Sequence, residues 1–172
     1  WMLPGVSRPF RDWKPGGHGT VNLHRSVVVS CDTYYYQLAA ETDIDDWAAF
    51  MKQFGFGHKT GIDIDGEKRG VLPSTEWKRN AYKKREQQRW YAGETISVAV
   101  GQGYNSFTLM QLAQATAVLA NDGTYMKPHL VKQLENPSTG ERKPTVAQAS
   151  YTIPLKKENI QVIKRALADV TT

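Results

Sequence analysis

The sequence predicts a mixed α/β (α+β) chain in which helices outnumber strands. Three observations predict it. Apolar residues recur at helical spacing behind good capping residues in several stretches. A middle segment dense in Gly and Pro leaves room only for short extended pieces. A length of 172 residues, 40% apolar and 23% charged, suffices for one hydrophobic core.

Residues 1–19 read as loop, with Pro4, Gly5, Pro9, Pro15, Gly16, Gly17 and Gly19. Residues 22–29 suit a short helix capped by Asn22, with Leu23, Val27 and Val28 on one face; their β-branched run also suits a strand. Asp32 or Thr33 then caps a helix over 33–42, with Tyr34, Tyr35, Leu38 and Ala39 inward. Asp43 starts a third helix with Ile44, Trp47, Ala48 and Met51 as its stripe, and Gly55 ends it. Residues 55–75 are turns around short extended pieces such as Ile62-Asp63-Ile64. Thr95 to Val100 reads as a buried strand closed by Gly101-Gln102-Gly103, a tight structural turn. Thr108 caps a helix carrying Leu109, Leu112, Ala113, Thr116, Leu119 and Ala120, stopped by Asn121-Asp122-Gly123. Residues 124–134 read as extended, 136–140 as a turn and 144–150 as a polar, mobile stretch. A last helix spans about 156–169, with Ile160, Ile163, Leu167 and Val170 inward.

The formal net charge is +5, and Lys78, Arg79, Lys83, Lys84, Arg85 and Arg89 concentrate much of it. Glu76 and Glu86 interrupt that run and no nucleic-acid motif accompanies it, so it reads as a solvated, helix-like surface with no nucleic-acid partner. No stretch reaches the ~18 apolar residues of a membrane span, and no secretory signal is visible. The first residue, Trp1, reads as a cut inside a longer protein. Cys31 is the single cysteine, which excludes an intrachain disulfide and by default suggests a small buried hydrophobe.

The chemistry concentrates at Ser30-Cys31-Asp32, wedged between Val27-Val28-Val29 and Tyr34-Tyr35-Tyr36. Burying a polar group unpaired costs roughly 2–7 kcal/mol. A buried hydroxyl–carboxylate pair here would therefore need partners or a task. Nearby, Asp12, His18 and Cys31 are three ligand types that zinc accepts. The spacing matches no standard zinc motif, so on residue types alone the trio reads as an accidental set (a core Cys, a loop His, a surface Asp) ahead of a three-ligand site with one position free. His24, His58 and His129 read as ordinary packing or surface histidines.

Three stretches together, Ser30-Cys31-Asp32-Thr33-Tyr34-Tyr35-Tyr36-Gln37-Leu38-Ala39, Phe54 to Glu67 and Ser97 to Ala113, resemble the transpeptidase domain of class B penicillin-binding proteins. Pro9-Phe10-Arg11-Asp12-Trp13 and Gly17-His18-Gly19 are similar to the elongation-type branch of that family. The likeness runs from end to end with order and spacing kept.

The resemblance implies a β-lactamase/transpeptidase-like fold, of which residues 1–172 supply mostly the helical lobe and little of the antiparallel sheet. It implies a serine-type D-Ala-D-Ala transpeptidase that cross-links peptidoglycan stem peptides and binds β-lactams. The family uses three motifs, S-x-x-K, S-x-N and K-T-G. Ser30 and Asp32 fall on the second, Ser30 as a proton relay beside the Lys of the first motif and Asp32 orienting that Lys or a substrate amide. Asp stands where many relatives have Asn, an acceptor-only group when ionised.

None of Ser7, Ser26, Ser30, Ser74, Ser97, Ser106, Ser138 and Ser150 has Lys three residues on. The nucleophile is therefore expected upstream, and the chain alone is expected to be inactive. Lys59-Thr60-Gly61 spells the third motif, but its continuation Ile62-Asp63-Ile64-Asp65-Gly66-Glu67 resembles a non-catalytic family stretch, so the true third motif is expected beyond Thr172. The resemblance further implies a structural zinc on Asp12, His18 and Cys31, no cofactor for catalysis, elongation-machinery partners and a place on the periplasmic face of the inner membrane. Two other readings share the family: a non-catalytic β-lactam sensor domain of the same fold, and the septal class B enzyme, against which the Asp12-to-Cys31 pattern argues.

Overall fold

The structure is a computed structural model describing residues 1–171. In chain order it holds α1 (Leu23–Val28), α2 (Asp32–Ala40), α3 (Ile44–Lys52), α4 (Thr75–Ala81), α5 (Arg85–Gln88), α6 (Ala92–Ala99) and α7 (Leu109–Ala120). Strands β1 (Thr124–Met126), β2 (Gln133–Glu135), β3 (Arg142–Pro144) and β4 (Ala149–Thr152) follow, then α8 (Lys157–Asp169). β1 pairs antiparallel with β4, Tyr125 opposite Tyr151, and β2 pairs antiparallel with β3, Leu134 opposite Lys143. The class is therefore the expected one: helix-dominated, with two small antiparallel sheets.

Local chemistry explains the helix starts. Asn22 accepts from the Arg25 N–H at 2.9 Å, so 22–29 is a helix and not a strand. Asp43 accepts from the Asp45 N–H at 2.7 Å and Ser74 from the Trp77 N–H at 3.0 Å. In α7, Thr108 and Gln111 cap each other reciprocally: Gln111 N–H to Thr108 Oγ1 at 3.1 Å, and Thr108 N–H to Gln111 Oε1 at 2.9 Å.

Five expectations are corrected. The Thr95–Val100 strand is the second half of α6. Its β-branched run fits either state, but the Glu94 carboxylate accepts from the Tyr91 N–H at 2.8 Å and starts a helix, which packs on α2. Cys31, not Asp32 or Thr33, is the N-cap of α2, and Leu38 is exposed while Ala39 is buried. In α7 the buried side is Gln111, Gln114, Ala115 and Val118; Leu109 is 85% exposed and Leu112 also faces out. The 144–150 stretch is not all mobile loop: Pro144 ends β3, and Ala149 begins β4. At α8, Leu167 and the C-cap Val170 are exposed; the helix buries only Ile160 and Ala166 fully, a narrower stripe than the apolar spacing implies.

Two apolar clusters hold the chain. Phe54, Phe56, Ala115, Val118, Tyr125 and Ile153 form one, joined by Met51, Leu72 and Phe107. Leu3, Ala39 and Ile96 form the other, with Trp1, Phe10 and Tyr36 packed on it. Gly123 is required at the α7–β1 turn: its φ is +91°, and a Cβ there would meet the Ile153 carbonyl oxygen at 2.8 Å.

Lys78 is the exception in the basic stretch. Arg79, Lys83, Lys84, Arg85 and Arg89 are exposed as expected, but Lys78 is only 3% exposed. Its ammonium is paired with Glu94, donates to the Arg89 carbonyl at 2.7 Å, and lies 5.4 Å from the Tyr104 ring centroid. Burial, then the hydrogen bond from Tyr104 to Glu94 at 2.9 Å, push the Tyr104 phenol above its ordinary range. A buried cation needs such partners.

Candidate functional site

The site is the α1–α2 junction with the loop before it. α1 ends at Val28, and the chain reverses through Ser30, whose φ is +51°. The Cys31 N–H closes this turn on the Ser26 carbonyl at 2.9 Å. This is the left-handed helix end at which Gly is usual. Ser30 is exposed there and Asp32 is half-buried, so the expectation of a fully buried pair is corrected. The turn itself causes this, because it lifts Ser30 off the end of α1 while Cys31 dives inward to 2% exposure.

The loop over 12–18 straddles this junction. Asp12 Oδ2 accepts from the Cys31 thiol at 3.4 Å, the Thr33 N–H at 3.3 Å and the Thr33 hydroxyl at 3.1 Å. Asp12 thus caps α2 from a distance, where Cys31 makes no side-chain cap of its own. Burial pushes this carboxyl up. Donations from the Lys14 and Thr33 N–H groups, the Cys31 thiol and the Thr33 hydroxyl outweigh it and hold the pKa at about 2.

His18 Nδ1 lies 3.2 Å from Asp12 Oδ1, and both side chains are only 3% exposed. The contact lacks hydrogen-bond geometry, so His18 Nδ1 is buried without a hydrogen-bond partner among the described residues. The three ligand atoms of Asp12, His18 and Cys31 lie within 4.8 Å of one another. A buried imidazole nitrogen beside a carboxylate but with no hydrogen-bond partner, a thiol and an anionic carboxylate, so converged, fit a zinc ion. Asp12 serves the fold at the same time, so both readings of the trio have a physical basis here.

Sequence reasoning passed over Trp13. Its N–H donates to Asp32 Oδ2 at 3.1 Å, and its indole N–H is shared between the Val29 and Ser30 carbonyls at 3.1 and 2.9 Å. An aromatic residue beside a Gly/Pro loop gives no sign of such contacts; only the adjacency to Asp12 hinted at it.

Lys59-Thr60-Gly61 lies elsewhere. Glu67 accepts from the Thr60 N–H and hydroxyl, both at 2.6 Å, and from the Gly61 N–H at 3.1 Å, while Lys59 is exposed. The threonine hydroxyl of this triplet is thus bound into the turn that leads to Glu67. His24 pairs with Asp169 at 2.8 Å, and His58 and His129 each contact a backbone carbonyl.

The family profile of the penicillin-binding protein transpeptidase domain matches residues 2–172. The chain belongs to this transpeptidase family. The peptidoglycan D,D-transpeptidase MrdA of Acinetobacter baumannii is 49% identical over 130 residues, 76% of this chain and 19% of that protein. The chain therefore spans about a fifth of the length of this curated relative. The crystal structure of Pseudomonas aeruginosa PBP2 in complex with WCK 5153 superposes with a TM-score of 0.80 at 38% identity, covering 98% of this chain and 36% of that one. PBP2 of Helicobacter pylori, solved in complex with MreC, gives a TM-score of 0.74 at 28% identity over 95% of this chain and 28% of its own. Membership of the transpeptidase family accounts for the helix-rich fold with small antiparallel sheets.

Proposed function

We propose that residues 1–172 are part of one transpeptidase domain of a peptidoglycan D,D-transpeptidase, and that Ser30 and Asp32 form one wall of its acyl-transfer cleft. The match over residues 2–172 carries this reading; the left-handed backbone of Ser30, φ +51°, next to the half-buried Asp32 is its local support, while the exposure of the Ser30 hydroxyl is not. In the reaction, a serine hydroxyl attacks the carbonyl of the terminal D-Ala–D-Ala bond. The C–N bond breaks and D-Ala leaves with a proton. The amine of a neighbouring stem peptide then displaces the serine from the ester.

Since no Ser of this chain is followed by Lys at the third position, the nucleophile is assigned to a part of the protein outside residues 1–172. Ser30 relays the proton to the leaving amine. Asp32, its Oδ2 held by the Trp13 N–H, orients a substrate amide or the Lys beside the nucleophile.

Asp12, His18 and Cys31 would hold a structural zinc that fastens the loop to the start of α2 and takes no part in the acyl transfer. In this reading the enzyme works at the periplasmic face of the inner membrane with elongation-machinery proteins; the complex of H. pylori PBP2 with MreC supports a protein partner. Among the described residues no helix is long and apolar enough to cross a membrane.

The test uses the full-length protein with a pentapeptide donor and an amine acceptor. Release of D-Ala matched by cross-linked product, and blocked by prior penicillin, is expected. Covalent penicillin labelling without cross-linked product would favour a sensor. Metal analysis of the same protein should find zinc that Cys31→Ser loses; no zinc in the unmutated protein ends the metal reading.

A further inference from the structure

Ser30 occupies a left-handed backbone conformation, φ +51°, at a helix end where Gly is the usual residue. Such conformations persist in L-residues where the surroundings over-determine them, and they cluster at functional sites. What over-determines Ser30 is visible. The Val29 carbonyl belongs to the peptide plane before the Ser30 Cα, and the Ser30 carbonyl to the plane after it. One indole N–H, that of Trp13, reaches both oxygens, at 3.1 and 2.9 Å. A donor shared by these two carbonyls requires them to point the same way. Helical backbones of either hand satisfy that requirement and an extended residue violates it; the left hand itself is fixed by the helix-end bonds from the Cys31 N–H to the Ser26 carbonyl at 2.9 Å and from the Ser30 N–H to the Val27 carbonyl at 3.2 Å, to which the indole adds.

The backbone N–H of the same residue holds Asp32 Oδ2 at 3.1 Å. The ring meets His18 at 5.3 Å yet is 63% exposed, so it is not a core anchor whose bulk the fold needs.

We propose that Trp13 is a positioning residue of the Ser30-Cys31-Asp32 motif: its indole N–H sets the backbone that presents the Ser30 hydroxyl, and its main-chain N–H aims the Asp32 carboxylate. This inference rests on the reading of Ser30 and Asp32 as one wall of the acyl-transfer cleft. Trp13 touches no reacting atom. It acts through geometry, where a displacement near 1 Å can cost on the order of a hundredfold in rate.

Trp13→Phe in the full-length protein removes the indole N–H and keeps an aromatic ring and the main-chain N–H. Acylation by a penicillin is expected to slow about tenfold, as a displacement of the Ser30 hydroxyl of well under 1 Å would produce. The non-covalent affinity measured before acylation should stay within about twofold, and the unfolding midpoint should fall by no more than the loss of one solvent-exposed hydrogen bond allows, a split that a merely structural role would not produce. Acylation at the parent rate, or a loss that tracks the unfolding midpoint, overturns the inference.

Ser30→Ala is measured alongside. If it leaves acylation intact, the reading of the motif fails and Trp13 falls with it. If it abolishes acylation while Trp13→Phe does not slow it, the Trp13 inference alone fails. Should Trp13→Phe not fold, benzothienylalanine at position 13 makes the same test, since sulfur replaces the N–H in a ring of the same shape.

Discussion

Asp12 joins the loop to the start of α2 through three donors and accepts a fourth hydrogen bond from Lys14 within the loop, and its pKa of about 2 lies below the ordinary 3.8. A carboxyl with a depressed folded-state pKa stabilises the fold fully above its unfolded value. That contribution is lost as pH falls through about 3.8 toward about 2. Asp12→Asn should therefore lower the unfolding free energy at neutral pH and flatten its fall between those two pH values. Urea titrations of the full-length protein in chelator, repeated along the pH series, check this; identical slopes for parent and variant would contradict it. At this scale the sequence was informative where chemistry resides in residue type. Asp12, His18 and Cys31 are recognisable as ligands wherever the chain puts them. Trp13 and Lys78 were not legible, because their roles come from partners 16 to 19 residues away for Trp13 and from burial against Glu94 for Lys78. The Ser30 exposure was missed for a related reason: an apolar run on each side suggests burial, but a left-handed turn between two helices overrides it.

Among the elements, α7 shows most clearly what packing adds to pattern. Its cap at Thr108 and its stop at Gly123 were readable from residue type. Its inward face was not, since Leu109 and Leu112 point out while Gln111 is fully buried. Gln111 donates to the His58 carbonyl at 2.7 Å and the Arg69 carbonyl at 2.6 Å, and its oxygen caps Thr108. One amide thereby ties α7 to the turn-dense segment before it. Gly70 makes room for this contact, because a Cβ there would meet Gln111 Oε1 at 2.6 Å. Gln111→Leu keeps similar bulk and strands both carbonyls, so it should cost on the order of 3 kcal/mol of unfolding free energy. A loss below about 0.5 kcal/mol in denaturant titration would show that these bonds add little beyond what water supplies. The strand expected at 95–100 failed by the same logic, since short β-branched runs do not distinguish strand from helix until a cap such as Glu94 decides.

Across the whole molecule, the two apolar clusters place the Ser30 junction on a helical scaffold. α1 packs on α8 and α2 on α6, so the turn between α1 and α2 is held from both sides. The mixed, helix-rich class and the family were legible because three motif-bearing stretches keep their order and spacing. The pairing of β1 with β4, across the whole β2–β3 hairpin, was not, because it joins residues 124–126 to 149–152 with no local signal. Acyl transfer by the full-length protein would depend on the residue this scaffold presents. The most direct measurement is the rate of covalent penicillin labelling of the full-length protein with Ser30→Ala against the parent. A proton relay in the acyl-transfer cleft predicts labelling slower by about 10²–10⁴-fold with the fold intact. Labelling at the parent rate would contradict it.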